Sequence, residues 1–341
     1  MVITQAPFRM SFFGGGTDFP GFYEEYGGKV ISTTIDKYCY VHIRHLPPFF
    51  EYNNEITYSK RERVISVDEI EHPAIREAMK FLDMRELTLT YDADLPARSG
   101  LGTSSSFAVA MLLGFYALKG KYVDKKRLAK EAIYLERNLC GESGGLQDQI
   151  AAAYGGLNKI VFSQDGFEVK PVIISNERKD RLNSSLMLFF TGFSRFSYTV
   201  QQKHEKALKT KKQQLLEMLS LVDEAEALLT SGDLDEVGRL LDHTWRLKRG
   251  VNKAVTTDAI DQAYETAMKA GALGGKLLGA GGGGFLLFYV QPDKQNQVRR
   301  ALSALKEVPF RFETGGARIL YYASEFYTLP EEAGENVENR D

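Results

Sequence analysis

The stretch LPARSGLGTSSSFAVAMLLG, residues 95–114, most constrains the fold, because a glycine-rich loop there runs straight into an apolar helical run. Before it, ELTLTYDADLP alternates apolar and polar residues, so the loop is expected between a strand and a helix. Glycine lets backbone approach a ligand closely, and consecutive amides at a helix N-terminus form a nest of partial positive charge suited to phosphate oxygens. Thr103, Ser104, Ser105 and Ser106 add hydroxyl donors and oxygens able to bind a metal. The loop alone is equally well explained by Thr103 or Ser104 capping the helix with no ligand present. The lysine of a Walker A loop is missing, so any bound phosphate needs its charge balanced from elsewhere.

The 341 residues are 43% hydrophobic, enough for more than one domain core. With 43 basic and 45 acidic side chains, the net charge of -2 gives no global positive field for nucleic acid or an anionic membrane, so a small ligand is expected. Only Cys39 and Cys140 are present, and MVITQAPFRM has neither a basic nor a long apolar run, which reads as a reduced, cytoplasmic protein.

Along the first half, KVISTTIDKYCYVHIRHL and LNKIVF read as strands, and helices are expected over 105–118, 125–139 and 147–154. The charged stretch SNERKDRLN marks a domain boundary, after which SSLMLFFTG opens the second half as a buried strand. Two long helices across 197–248 break at Ser231-Gly232-Asp233, and 258–270 is helical again. The expected units are 1–180 and 181–330, with a disordered acidic tail over 331–341.

Two further glycine loops stand apart from ordinary turns. In FRMSFFGGGTDFPG, three glycines follow an alternating strand and precede Thr17 and Asp18; a tight hairpin seldom needs three. A carboxylate held beside exposed amides suits a polyhydroxylated substrate. In GGKLLGAGGGGF, Gly279, Gly281 and Gly284 satisfy G-x-G-x-x-G, but the loop follows a helix and opens a strand, the reverse of a dinucleotide fingerprint. A Walker A reading fails as well, with Ala270 at the first glycine position and Leu277 in place of Ser or Thr. GESGG follows a helix, not the strand that a hydrolase elbow requires.

In this order, RMSFFGGGTD, PARSGLGTSSS and KLLGAGGGGF, with GGLQDQIAAAYGG before the last, resemble the signature motifs of the GHMP kinase superfamily of galactose, homoserine, mevalonate and phosphomevalonate kinases. The likeness spans residues 9–290, and RMSFFGGGTDFP, GGKVISTTIDKYCYV and TGFSR look most like sugar kinases of the D-glycero-D-manno-heptose 7-phosphate type. Those phosphorylate the anomeric C1 hydroxyl on the way to nucleotide-activated heptose for surface polysaccharide. The resemblance implies a two-domain α+β fold: an N-terminal domain like ribosomal protein S5 domain 2, a ferredoxin-like C-terminal domain, and an active site in the cleft between them.

The same resemblance implies roles for individual residues. ATP would lie on Arg98, Ser99, Gly100, Leu101, Gly102, Thr103, Ser104 and Ser105, with Mg²⁺ between Ser104 and Glu136. Asp148 matches the catalytic base and Arg9 the basic residue facing it. By themselves Glu136 and Asp148 read as helix carboxylates and Arg9 as a strand-surface residue; the motif context reassigns them. Gly15, Gly16, Asp18, Gly281 and Gly282 would meet the substrate. The distant phosphate of a sugar phosphate needs a cation, with Arg195 first and Arg98, Lys203 and Lys248 behind it. A helix N-terminus offers an anion only about 0.3–1 kcal/mol, against the roughly 8–23 kcal/mol by which enzymes lower barriers, so these further charges are required. Another sugar kinase of the superfamily, of fucose or galactose type, is the near alternative, and a catalytically silent sugar- and ATP-binding regulator is a further reading, which the joint presence of Arg9, Ser104, Glu136 and Asp148 disfavours. The sequence leaves formation of a homo-oligomer open.

Overall fold

The computed structural model describes residues 1–97, 99–192, 211–251, 255–279 and 281–323. Its first half is built on β1 (Val2–Phe13) and β2 (Gly28–His45), rich in β-branched and aromatic residues and buried along most of their length. They pair antiparallel from Val2↔Ile43 to Phe13↔Ile31, and the register shifts beside Pro7, which has no amide to donate to the ladder. β3 (Asn54–Thr57) and β4 (Arg61–Val64) form a short hairpin, and β3 runs parallel to β5 (Leu87–Ala93). β2 is shared lengthwise: its second half pairs with β5 and its first half with β6 (Asn158–Ser163), which in turn pairs with β7 (Gly166–Pro171).

Helices α1 (Pro20–Tyr26), α2 (Pro73–Phe81), α3 (Thr103–Leu118), α4 (Lys125–Tyr134), α5 (Gln147–Tyr154) and α6 (Asn176–Ser184) complete this half. α3 is apolar all round and buried on nearly every face, as a helix at the centre of a domain must be. It lies on β1 and β2, where Gly114 leaves room for Ile43 and Thr4 Oγ1 donates to the Ala110 carbonyl at 2.8 Å. The helix expected over 125–139 is α-helical only to Tyr134 and continues as a π turn, Leu135–Leu139. The charged stretch expected to be a boundary segment is α6, capped by Ser175, whose hydroxyl accepts from the Arg178 amide at 3.2 Å.

The second half centres on a four-stranded antiparallel sheet, β8 (Leu186–Phe190), β9 (Gly274–Leu277), β10 (Phe285–Tyr289) and β11 (Lys306–Glu307), in the order β11-β8-β10-β9. Helices α7 (Lys212–Thr230), α8 (Leu234–Val251), α9 (Asp258–Lys269) and α10 (Gln295–Ala301) accompany it, with Trp245 fully buried among Tyr264, Phe288 and their neighbours. The chain then returns: β12 (Phe312–Glu313) pairs with β2, and β13 (Arg318–Tyr322) pairs with β1. Residues 312–322 therefore lie in the first sheet although 181–330 was expected as one unit. The pairing of β13 covers a β1 edge whose amides and carbonyls would otherwise stand open. The positions 98, 193–210 and 324–341, which include Arg98, Arg195, Lys203 and the expected tail, lie outside the described residues. No described helix is long and apolar enough to cross a membrane.

Candidate active site

The loop before α3 has left-handed backbone at Gly100 (φ +84°) and at Gly102 (φ +73°), conformations that favour glycine. Gly102 caps α3, and a side chain there would press on Arg9 Cγ at 3.2 Å and Asp148 Oδ2 at 3.4 Å. The loop is thus seated on a charged pair. Arg9 fixes it from β1, donating its backbone amide to the Leu101 carbonyl at 3.0 Å and Nη1 to the Gly100 carbonyl at 2.5 Å.

The rest of the Arg9 guanidinium grips Asp148, in the first turn of α5. Nε donates to Oδ1 and Nη2 to Oδ2, both at 2.7 Å. This bidentate geometry fixes the carboxylate in plane as well as in distance. Arg9 is 5% exposed, whereas the Asp148 side chain keeps 24% of its surface open, so the carboxylate is the member a ligand can reach.

A second carboxylate stands under the start of α3. Glu136, 2% exposed, lies on the π turn, which widens the helix by one residue and turns it toward the loop. It accepts from Ser104 Oγ at 3.0 Å, from Ser105 Oγ at 2.7 Å and from Gln149 Nε2. Burial pushes its pKa above the usual carboxylate range, against the opposing charge of Arg137. The Gln149 carbonyl oxygen is buried with no partner of its own. Hydroxyl, carboxylate and amide oxygens together are hard donors that fit Mg²⁺, which binds through one or two carboxylates plus phosphates.

Asp18 reaches the site but does not face open space. It is 1% exposed, and its carboxylate accepts from the Gly16 amide at 3.0 Å, the Gln147 amide at 3.2 Å and Gln147 Nε2 at 3.0 Å. A Cβ at Gly145 would stand 1.9 Å from Asp18 Oδ2, so glycine is required for this approach. Burial raises the Asp18 pKa, partly offset by the Gly16 and Gln147 bonds. The structure therefore uses Asp18 to tie the triple-glycine turn to the N-terminus of α5, where sequence reasoning expected it to grip substrate.

The third glycine loop packs back to back with the first. A Cβ at Gly100 would meet the Leu278 carbonyl at 2.4 Å, one at Gly279 would meet Gly100 Cα at 2.4 Å, and one at Gly284 the Ser99 carbonyl at 2.3 Å. Gly281 sits against Val255, whose carbonyl accepts from the Gly282 amide at 2.9 Å, so this part of the loop packs on protein. Two buried lysines hold the junction. Lys248 donates to the Gly279 carbonyl at 2.6 Å, and Lys276 to the Phe12 carbonyl at 2.8 Å. Burial lowers both pKa values, that of Lys248 to about 8, with the positive charge of Arg9 lowering each further; Asp18 and Asp148 oppose the shift at Lys248. Neither lysine has a carboxylate partner among the described residues.

The family description for the GHMP kinases N terminal domain matches residues 70–156, and that for the GHMP kinases C terminal matches 225–307. The chain is a GHMP kinase. The N-terminal match contains the loop, Glu136 and Asp148; the C-terminal match contains Lys248, Lys276 and the third loop. This GHMP kinase is 29% identical over 88% of its length to D-glycero-alpha-D-manno-heptose 7-phosphate kinase of Campylobacter jejuni, covering 92% of that protein. It is 27% identical over 87% of its length to a bifunctional fucokinase/GDP-fucose pyrophosphorylase of Arabidopsis thaliana, spanning 31% of that longer protein. The crystal structure of a D-glycero-D-manno-heptose 1-phosphate kinase from Bacteroides thetaiotaomicron superposes with a TM-score of 0.75 at 28% identity, covering 95% of this chain and all of that one. The protein is accordingly an ATP-dependent sugar kinase, a phosphotransferase with the α+β fold of its family.

Of the residues expected from sequence, the structure brings Arg9, Asp148, Gly102, Ser104, Ser105 and Glu136 into one continuous network. Sequence reasoning missed Gln147, Gln149 and Lys276. Glutamines and a lysine next to glycines carry no spacing signal of their own, and only the tertiary contacts reveal them.

Proposed function

We propose that this GHMP kinase transfers the γ-phosphoryl group of ATP to the anomeric C1 hydroxyl of D-glycero-D-manno-heptose 7-phosphate, giving the 1,7-bisphosphate. The observation that carries this reading is the bidentate Arg9–Asp148 pair seated against the glycine loop, a fixed, partly open carboxylate beside backbone amides at a helix N-terminus. The sugar is suggested by the heptose 7-phosphate kinase that the chain resembles over most of its length.

In the proposed reaction the loop amides from Gly100 to Ser105 hold the nucleotide phosphates. Ser104, Glu136 and Gln149 would hold Mg²⁺, which supplies positive charge to the terminal phosphates. The C1 oxygen attacks the γ-phosphorus, the bond from that phosphorus to the bridging oxygen breaks, ADP leaves, and the proton of the C1 hydroxyl passes to Asp148. Each Asp148 oxygen keeps a lone pair beyond its bond to Arg9 and can accept that proton. An anomeric hydroxyl is more acidic than an ordinary alcohol, so an Asp carboxylate suffices as base. Arg9 stabilises the charge that develops on the transferring group. Lys248, the one sequence candidate for the distant phosphate within the described residues, stands at this junction and has no carboxylate partner among them.

The test is ADP release across a panel of hexoses, fucose, heptoses and their phosphates, with ³¹P NMR of the product. Heptose 7-phosphate is expected to be the best acceptor and the new phosphate to be anomeric. A better hexose or fucose acceptor replaces the substrate; ligand-induced thermal stabilisation with no ADP release on any acceptor favours the regulator.

A further inference from the structure

We infer that Ser11 and Gln147 form a hydroxyl-recognising niche in the sugar subsite, with Asp18 as the positioning residue that orients Gln147 toward it. The inference rests on the kinase reading above and deepens it, because it assigns the contacts that select the sugar.

Ser11 lies on β1 two residues after Arg9, so both side chains leave the same face of the strand. It is 6% exposed, and its hydroxyl is buried with no hydrogen-bond partner. Gln147, 8% exposed, immediately precedes Asp148, and its carbonyl oxygen Oε1 is buried and likewise without a partner. An unsatisfied buried polar group is costly, so two such groups near Arg9 and Asp148 call for an explanation.

Gly15 supplies the space. Unlike Gly14 and Gly16 it has no left-handed backbone. A Cβ built on it would lie at ordinary contact distance from only Ser11 Oγ (3.6 Å) and Gln147 Nε2 (3.7 Å). The chain thus leaves a methyl-sized gap beside the unpartnered Ser11 hydroxyl and the Gln147 amide, whose nitrogen is held by Asp18 and whose oxygen has no partner, and a hydroxyl group fits that size. Ser offers a donor and an acceptor, and Gln147 an acceptor, the complement of a neutral polyol.

The amide cannot flip freely, because Nε2 donates to Asp18 Oδ2 at 3.0 Å, which leaves Oε1 as the free end. Asp18 thereby acts on the sugar through Gln147.

The experiment compares wild type with Ser11→Ala, Gln147→Met and Gly15→Ala, using the sugar phosphate that wild type turns over best and its monodeoxy analogues. Ser11→Ala is expected to raise the sugar KM about tenfold, the equivalent of one lost hydrogen bond, with the KM for ATP unchanged. Its Tm should stay level or rise, since the hydroxyl has no partner to lose in the free protein; a merely structural serine would lower it. Gln147→Met should raise the sugar KM at least as much, and Gly15→Ala should do so with Tm kept. One deoxy analogue that wild type uses poorly should bind wild type and Ser11→Ala alike. No ADP release by wild type on any acceptor overturns both readings. Normal wild-type turnover with an unchanged sugar KM in Ser11→Ala and Gln147→Met overturns this inference alone.

Discussion

Arg9 and Asp148, 139 residues apart, are joined by two parallel hydrogen bonds of 2.7 Å, and Gly102 closes over the pair so tightly that a Cβ there would press on both side chains. A strand, a helix and the glycine loop therefore meet at one point. Any ligand on the loop would lie against a carboxylate whose position the fold has already fixed, the preorganisation that a chemical step there would use.

Asp148→Asn keeps the shape of this pair but turns one acceptor into a donor facing the guanidinium. Turnover is expected to fall by about 10²–10⁴, the range for losing a general base, while nucleotide binding persists because the loop amides are untouched. ADP release and calorimetric titration with ATP check the two halves. Turnover equal to wild type removes Asp148 from the mechanism.

Glu136→Gln retains an acceptor for the Ser104 and Ser105 hydroxyls and removes the charge. The Mg²⁺ concentration giving half-maximal rate is expected to rise at least about tenfold, as it does even for the outer partners of metal ligands. Initial rates against Mg²⁺ at fixed ATP measure it, and an unchanged metal requirement would place the cation elsewhere.

How much of this was legible in the sequence depends on whether local pattern or distant contact decides each element. The strand at Leu87–Ala93, the helix at Thr103–Leu118 and the loop between them follow from alternation, glycines and an apolar run. The π turn at Leu135–Leu139 does not, because helix periodicity continues through it and only the contact of Glu136 with Ser104 and Ser105 demands the extra residue. The return of Arg318–Tyr322 to β1 is equally silent, since strand partners far apart in the chain are chosen by edge pairing. At the site, Arg9, Glu136 and Asp148 were readable from the motifs that contain them. Asp18 was readable as important but not as a buried support, because its role is set by Gln147 and by the bare backbone at Gly145.

Gly100→Ala tests whether the two glycine loops support each other. The left-handed backbone costs a non-glycine residue about 1–2 kcal/mol, and the new Cβ would also collide with the Leu278 carbonyl at 2.4 Å. Gly120, at φ +63° with nothing within 4 Å, is the control that carries the backbone cost alone. Urea denaturation should show a clearly larger loss for Gly100→Ala than for Gly120→Ala, together with a raised KM for ATP. Equal losses would mean that the loops yield to each other without strain.

Lys248 provides a pH signature. Burial and the neighbouring Arg9 lower its pKa to about 8 in the folded protein from an ordinary 10.5, against the opposing pull of Asp18 and Asp148. Between those two values the unfolded chain binds more protons than the folded one, so stability rises with pH across the window. Below about pH 8 the folded protein carries the full cost of a buried ammonium; above about 10.5 it carries none. Lys248→Met has no such group, yet shares the other titrating residues with wild type. The Tm of wild type relative to Lys248→Met is therefore expected to climb as pH is raised from 7 to 10, whatever the offset left by losing the bond to the Gly279 carbonyl. Thermal melts of both proteins at half-unit intervals measure the difference. A flat difference would show that the lysine stays fully charged in the fold, and with it that an anion or water shell already balances Lys248 at the domain junction.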